Sequence, residues 1–161
     1  MKFDPSLDLV LERTVDVSPA LVWKAWTTPE HLEKWFTPAP WTAKNCVIDL
    51  RPGGAFRSVM VSPEGEEHPQ SGCYLEVVHE KRLVWTDALE EGFRPTRGAP
   101  HLPFRFTAMV ELEPAGAGTL YRATVMHADA ASRDQHDAMG FADGWGAALT
   151  QLVAHMKSVG R

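Results

Sequence analysis

Apolar and polar positions change their period along the chain, and the changes mark three stretches. From Leu7 to Val17 they alternate loosely, with Leu9, Leu11, Val15 and Val17 apolar, which predicts a first strand. Ser18-Pro19 follows. A serine hydroxyl can accept a free backbone N–H at a helix start, and proline's fixed φ suits the first helical position. A helix is therefore predicted over 19–26. Thr28-Pro29 repeats the signal and predicts a second short helix over 29–35, closed by Pro38 and Pro40. The two form a tight helical hairpin.

From 43 to 127 the period becomes that of strands. They are predicted at 44–50, 55–62, 72–78, 82–89, 104–113 and 119–127. Pro52-Gly53-Gly54, Pro63-Glu64-Gly65 and Pro114-Ala115-Gly116-Ala117-Gly118 separate several of them. Connections this short favour antiparallel neighbours, because a parallel crossover needs a dozen residues or more. Phe104, Phe106, Ala108, Val110 and Leu112 share one strand face, while Arg105, Thr107 and Glu111 share the other. That is a half-buried sheet with one wet side.

Residues 132–159 read as one long helix, with Ser132 as its cap and Asp134 in its first turn. Ala138, Ala142, Trp145, Leu149, Leu152, Met156 and Val159 form an apolar stripe that must lie against the sheet. Gly140, Gly144 and Gly146 sit inside it, each at a cost of about 0.8–1 kcal/mol relative to alanine. Either helix and sheet approach closely there, or the first turns bend away and leave a hollow; a kink would separate the two. The predicted architecture is α+β: a curved antiparallel sheet of about seven strands around a long C-terminal helix, with the hairpin after strand one, in a single domain over 1–161.

Charge narrows the partners. Sixteen Lys and Arg face twenty-one Asp and Glu, for a net charge of −5 with neutral histidines. No basic block exists to neutralise phosphates, so neither nucleic acid nor an anionic membrane surface is expected. No run of about eighteen apolar residues predicts a membrane span. Met1-Lys2-Phe3-Asp4-Pro5 opens no signal-peptide core, which points to the cytoplasm. Cys46 and Cys73 are too few and too far apart for a disulfide framework and read as free thiols.

Catalytic motifs are absent. There is no G-x-S-x-G elbow and no phosphate-cradling G-x-x-x-x-G-K-[ST]. Gly53-Gly54 joins two strands and reads as a tight turn or bulge. Seven histidines are scattered without H-E-x-x-H spacing, so neither a metal nor a cofactor is expected. His127, Asp129, Asp134 and His136 group where the last strand meets the last helix, either as an acid/base or metal site or as a cap and solvated loop. What remains is apolar. Trp35, Phe36, Trp41, Phe56, Met60, Tyr74, Trp85, Phe106, Met139, Phe141 and Trp145 can converge between sheet and helix. They either fill the core or line a pocket for a small molecule. Residues 90–103 are long for a structureless connection and read as a lid, with Phe93 and Leu102 over the cavity mouth, or as a hairpin tip. Of the six tryptophans, Trp23 and Trp26 read as anchors of the hairpin. Trp35 and Trp41 sit at its exit, with Trp145 expected opposite.

Several segments are similar to the SRPBCC superfamily, and within it to the branch related to the activator of the heat-shock-ninety ATPase. They are residues 17–27 (Val-Ser-Pro-Ala-Leu-Val-Trp-Lys-Ala-Trp-Thr), 29–36 (Pro-Glu-His-Leu-Glu-Lys-Trp-Phe) and Asp49-Leu50-Arg51-Pro52-Gly53-Gly54. Residues 72–77, 82–86 and 139–145 (Met-Gly-Phe-Ala-Asp-Gly-Trp) match as well, so the resemblance runs from about 9 to 157. It implies a START-like helix-grip fold with a hydrophobic cavity between the long helix and the sheet. It carries no catalytic residue across, and fold is not function.

Three functions follow as expectations. The first is a binding protein for a small hydrophobic or aromatic molecule. The second is a cyclase- or hydrolase-like enzyme acting on an aromatic or polyketide-like substrate in the same cavity, with Asp87, Glu76, Arg122, His127 and His136 as the titratable candidates. The third is a co-chaperone-like ATPase activator, for which the chain starts too near its first strand to hold the additional N-terminal domain that such activators carry. A homodimer is expected on frequency alone.

Overall fold

A computed structural model describes residues 2–97 and 102–159. β1 (Asp8–Val15) leads into α1 (Pro19–Thr27), whose start is capped as predicted: Ser18 Oγ accepts the Leu21 N–H at 3.3 Å. Thr28 ends α1, with its N–H on the Lys24 carbonyl, and opens α2 (Pro29–Trp35). Next come β2 (Thr42–Ile48), β3 (Ala55–Val61), β4 (Glu67–Val78) and β5 (Arg82–Thr86). A small hairpin of β6 (Leu89–Glu90) and β7 (Arg94–Pro95) precedes β8 (Phe106–Ala115) and β9 (Gly118–His127). The last elements are α3 (Ala130–Ala138) and α4 (Phe141–Val159).

The main sheet has seven antiparallel strands in the order β1-β9-β8-β5-β4-β3-β2. The α1–α2 pair, inserted after β1, thus lies between the two edge strands in sequence. Phe104, Ala108, Val110 and Leu112 are buried and Phe106 half-buried, which fixes the inward face of β8. Gly53 and Gly54 make the tight turn between β2 and β3: a Cβ on Gly54 would fall 1.9 Å from the Asp49 carbonyl oxygen. Cys46 and Cys73 are free thiols; burial, then the Glu33 carboxylate, pushes Cys46 up to about 12.

The prediction for 132–159 is corrected. The long helix is two helices, parted at Met139-Gly140, where Gly140 has φ of +94°. Such a φ strains any residue with a Cβ, so glycine ends α3 and lets α4 start on a new axis. The cap of α3 is Asp129, whose Oδ1 accepts the Ser132 N–H at 2.7 Å, and not Ser132. The predicted apolar stripe holds at Leu149, Leu152 and Met156 and fails at its ends. Ala138, Ala142 and Val159 are exposed, and the buried face of α4 is Phe141, Ala148, Leu149, Leu152 and Met156. Of the two readings of 90–103, the described part takes the hairpin: it folds as β6–β7 with Phe93 at its tip, 51% exposed and laid over Gly53. Residues 98–101 of that segment lie outside the described residues.

Candidate ligand-binding site

A cavity of about 650 Å³ lies between α4, the helical hairpin and the inner face of the sheet. Five of the six tryptophans border it: Trp26, Trp35, Trp41, Trp85 and Trp145. Four of these rings form a connected wall, and Trp41 stands against His68 at 5.5 Å. Trp26 stands 4.7 Å from Trp35 and 5.0 Å from Trp85 between ring centres, and Trp85 runs nearly parallel to Trp145 at 6.2 Å. Phe36 and Phe56 continue it at 5.7 Å. Rings this size bring much apolar area with few degrees of freedom, so the wall is stiff. Trp41 and Met139 border the cavity while 39% and 56% exposed, which places the mouth between them.

Gln151 of α4 holds the mouth segment. Its Nε2 donates to the carbonyls of Trp35 and Thr37 at 3.0 and 2.8 Å, and its Oε1 accepts the Ala39 N–H at 2.8 Å. One side chain thereby ties the chain that carries Trp41 to the helix behind it. Gly144 borders the cavity as well, and a Cβ there would meet nothing within 4 Å. Of the two explanations for the helix glycines, the hollow applies at Gly144, and the bend at Gly140 accompanies it. Gly146 is buried, with a guanidinium nitrogen of Arg13 3.0 Å from its would-be Cβ.

One side of the cavity is polar. Asp87 borders it with both oxygens engaged: Oδ1 accepts the Phe106 N–H at 2.8 Å and Oδ2 faces Arg105 at 3.3 Å. Burial raises the Asp87 carboxyl above its ordinary value, against the pull of the Phe106 N–H and the Arg105 charge. His136 borders the cavity from α3. Its Nδ1 lies 2.8 Å from His127 Nε2, and His127 Nδ1 lies 2.8 Å from the Leu7 carbonyl oxygen. Burial, then the neighbouring His127, lowers His136 to about 4, so the ring is neutral near pH 7. Tyr121 completes the floor, its hydroxyl raised by burial. Trp26 Nε1 lies beside that hydroxyl without a well-formed hydrogen bond.

All the predicted apolar site residues except Tyr74 and Phe141 border the cavity. Tyr74 is fully buried behind Phe56, stacked at 5.2 Å, and Phe141 packs behind Trp145 and His136. Leu102 borders the cavity and Phe93 does not. Of the titratable candidates, Asp87 and His136 face it. Glu76 instead pairs with Arg82 at 3.0 Å, Arg122 pairs with Glu12 at 2.9 Å, and His127 stands behind His136. The grouping at 127–136 divides: Asp129 caps α3, Asp134 is exposed beside Arg133, and the two histidines join. Among the described residues no three potential metal ligands cluster. Trp26, expected to anchor the hairpin, also borders the cavity, while Trp23 packs away against His79 at 5.7 Å. A polar strip of Ser58, His68, Gln70 and Ser71, which the sequence pattern does not predict, also borders the cavity. The alternation His68, Gln70, Gly72 marks one strand face, but Pro69 between them reads as a turn.

The family model described as Activator of Hsp90 ATPase homolog 1-like protein matches residues 16–157. The chain belongs to this family. A crystal structure of a Nitrosomonas europaea protein of the same fold is 47% identical, with a TM-score of 0.91 and 97% of each chain covered. A Mycobacterium smegmatis protein is 26% identical, with a TM-score of 0.76 and 95% and 93% covered. An AHSA1-like protein from Aeromonas hydrophila, at 18% identity and a TM-score of 0.68 over 96% and 94%, shares the fold. Comparison with curated proteins gives no match. The helix-grip arrangement inferred from residues 17–36 and 139–145 is thus the arrangement of the Activator of Hsp90 ATPase homolog 1-like family. No helix among the described residues is long and apolar enough to cross a membrane.

Proposed function

We propose that this Activator of Hsp90 ATPase homolog 1-like protein binds a small hydrophobic or aromatic molecule, in the cytoplasm, within the cavity between α4 and the sheet. The observation that carries the reading is that five tryptophans border a cavity of about 650 Å³. A cavity of this size and lining is the ordinary form of a small-molecule site. With a net charge of −5 and no basic block, a small molecule suits the protein better than a nucleic acid. The test is a screen of apolar and aromatic compounds by tryptophan emission and thermal shift. Because nearly all the indoles border the cavity, a true ligand changes the bulk of the emission. Compounds that raise the melting temperature without altering emission would place binding elsewhere.

Catalysis on a bound aromatic substrate is a second reading, favoured by Asp87 and His136. Both face the apolar space, and burial raises the Asp87 carboxyl and lowers His136 relative to their ordinary values. Turnover lost in both Asp87→Asn and His136→Phe, with binding kept, would support it. ATPase activation, the activity in the family's name, rests on that name alone, and a stimulation assay with the chaperone tests it directly.

A further inference from the structure

The two polar groups on the cavity wall differ in what they have left to offer. Both carboxylate oxygens of Asp87 already hold donors, the Phe106 N–H and the Arg105 guanidinium. His136 is held on one edge only. The Leu7 carbonyl oxygen accepts the backbone N–H of His127 at 3.1 Å and lies 2.8 Å from Nδ1 of the same ring. A carbonyl only accepts, so Nδ1 of His127 carries the hydrogen. In a neutral imidazole the second nitrogen is then bare and must accept. Nε2 of His127 therefore accepts from Nδ1 of His136, 2.8 Å away. That leaves Nε2 of His136 as a bare lone pair. It has no hydrogen-bond partner among the described residues, on a ring 9% exposed that borders the cavity.

We propose that Nε2 of His136 is the hydrogen-bond acceptor for a hydroxyl group carried by an otherwise apolar, aromatic ligand, with its tautomer set through His127 by the Leu7 carbonyl. This rests on the ligand-binding reading of the cavity and adds the ligand's chemical class to it. Phe104, Phe106 and Phe141 surround the His136 ring at 4.8, 5.4 and 5.4 Å between centres. Water competes poorly there, and a hydrogen bond counts for more than at the surface. The same lone pair discriminates against a carboxylate ligand, which brings only acceptors. His127 is the positioning residue: it touches no ligand and acts by deciding which nitrogen of His136 is bare.

The test uses pyrene, 1-hydroxypyrene and 1-methoxypyrene, titrated into the full chain and followed by energy transfer from its tryptophans. The expected result is about tenfold tighter binding of 1-hydroxypyrene than of the other two, the effect of one well-formed hydrogen bond in a dry site. His136→Phe keeps the ring packing and should bind all three equally. Pyrene binding without a hydroxyl preference, or a preference that survives His136→Phe, overturns the proposal and leaves the cavity reading intact. Failure of all three to bind overturns both. Should the variant not fold, nitrogen-15 correlation spectra of the wild-type histidine rings at pH 8 decide the tautomer. Hydrogen on Nδ1 of His136 with a bare Nε2 supports the proposal, and the opposite tautomer overturns it.

Discussion

Trp35 donates its indole N–H to the carbonyl of Ala25 at 3.1 Å. The partner is one that α1 cannot use itself. The residue four positions on from Ala25 is Pro29, which has no N–H to give. The proline that starts α2 therefore strands a carbonyl of α1, and the tryptophan that ends α2 satisfies it. Trp35→Phe keeps most of the ring and removes the donor. It should cost roughly 1–3 kcal/mol, the penalty for a buried carbonyl left unpaired. Urea denaturation measures this, and a variant as stable as the parent would show that water serves Ala25 equally well.

Gly144 can be used to separate stability from occupancy. Its added Cβ would meet empty space, so Gly144→Ala should stabilise α4 by about 0.8–1 kcal/mol through helix propensity alone. Gly144→Phe should fill part of the cavity and abolish the quenching or energy transfer produced by an aromatic ligand, while the melting temperature stays near that of the parent. Binding unaffected by the phenyl ring would move the site away from α4.

Protonation of His136 should make stability depend on pH in a defined window. Its folded value of about 4 lies below the ordinary 6.5, so between those limits the unfolded chain binds a proton that the folded chain refuses. Stability then rises with pH across that window and is lost as pH falls, by up to roughly 3 kcal/mol. Half-buried His155, also lowered by burial, acts in the same direction. Asp87, raised by burial, acts oppositely: its contribution is present below the ordinary carboxylate value and is lost as pH rises through its folded value. His136→Phe should flatten the stability difference between pH 4.5 and pH 7 in urea titrations. An unchanged difference would mean that other groups set the slope.

Gln151 is predicted to order the mouth. Gln151→Leu preserves the bulk and removes the hydrogen bonds to Trp35, Thr37 and Ala39. Faster hydrogen exchange at the Ala39 amide, with protection in the sheet unchanged, is the expected signature. Equal exchange in both proteins would show that the segment holds itself.

The sequence revealed most where a local chemical signal acts without tertiary help. Ser18-Pro19 and Thr28-Pro29 set both helix starts, and the alternation at 104–112 set the inward face of β8. Gly140 was not legible in the same way. An interior glycine costs only about 1 kcal/mol in a helix, so its presence does not say whether φ has changed sign. The strand residues 67–71 were hidden by Pro69, which pairs with Val59 on one side while the register with β5 begins only at Cys73. An edge position tolerates a missing N–H. The site followed suit: its aromatic part was visible in composition and the His127–His136 grouping in local spacing, whereas the places of Tyr121 and Gln70 depend on strand neighbours far apart in sequence.

The turn at Gly140 also divides the cavity's responsibilities between two bearers. α4 brings Trp145, Leu149 and the Gln151 fastening, all concerned with shape and closure, while α3 brings His136 and ends at Met139 on the rim. Because one residue with a reversed φ ends α3 before α4 begins, a substitution at His136 changes the polar side of the cavity while the Trp145, Leu149 and Gln151 side belongs to a separate helix.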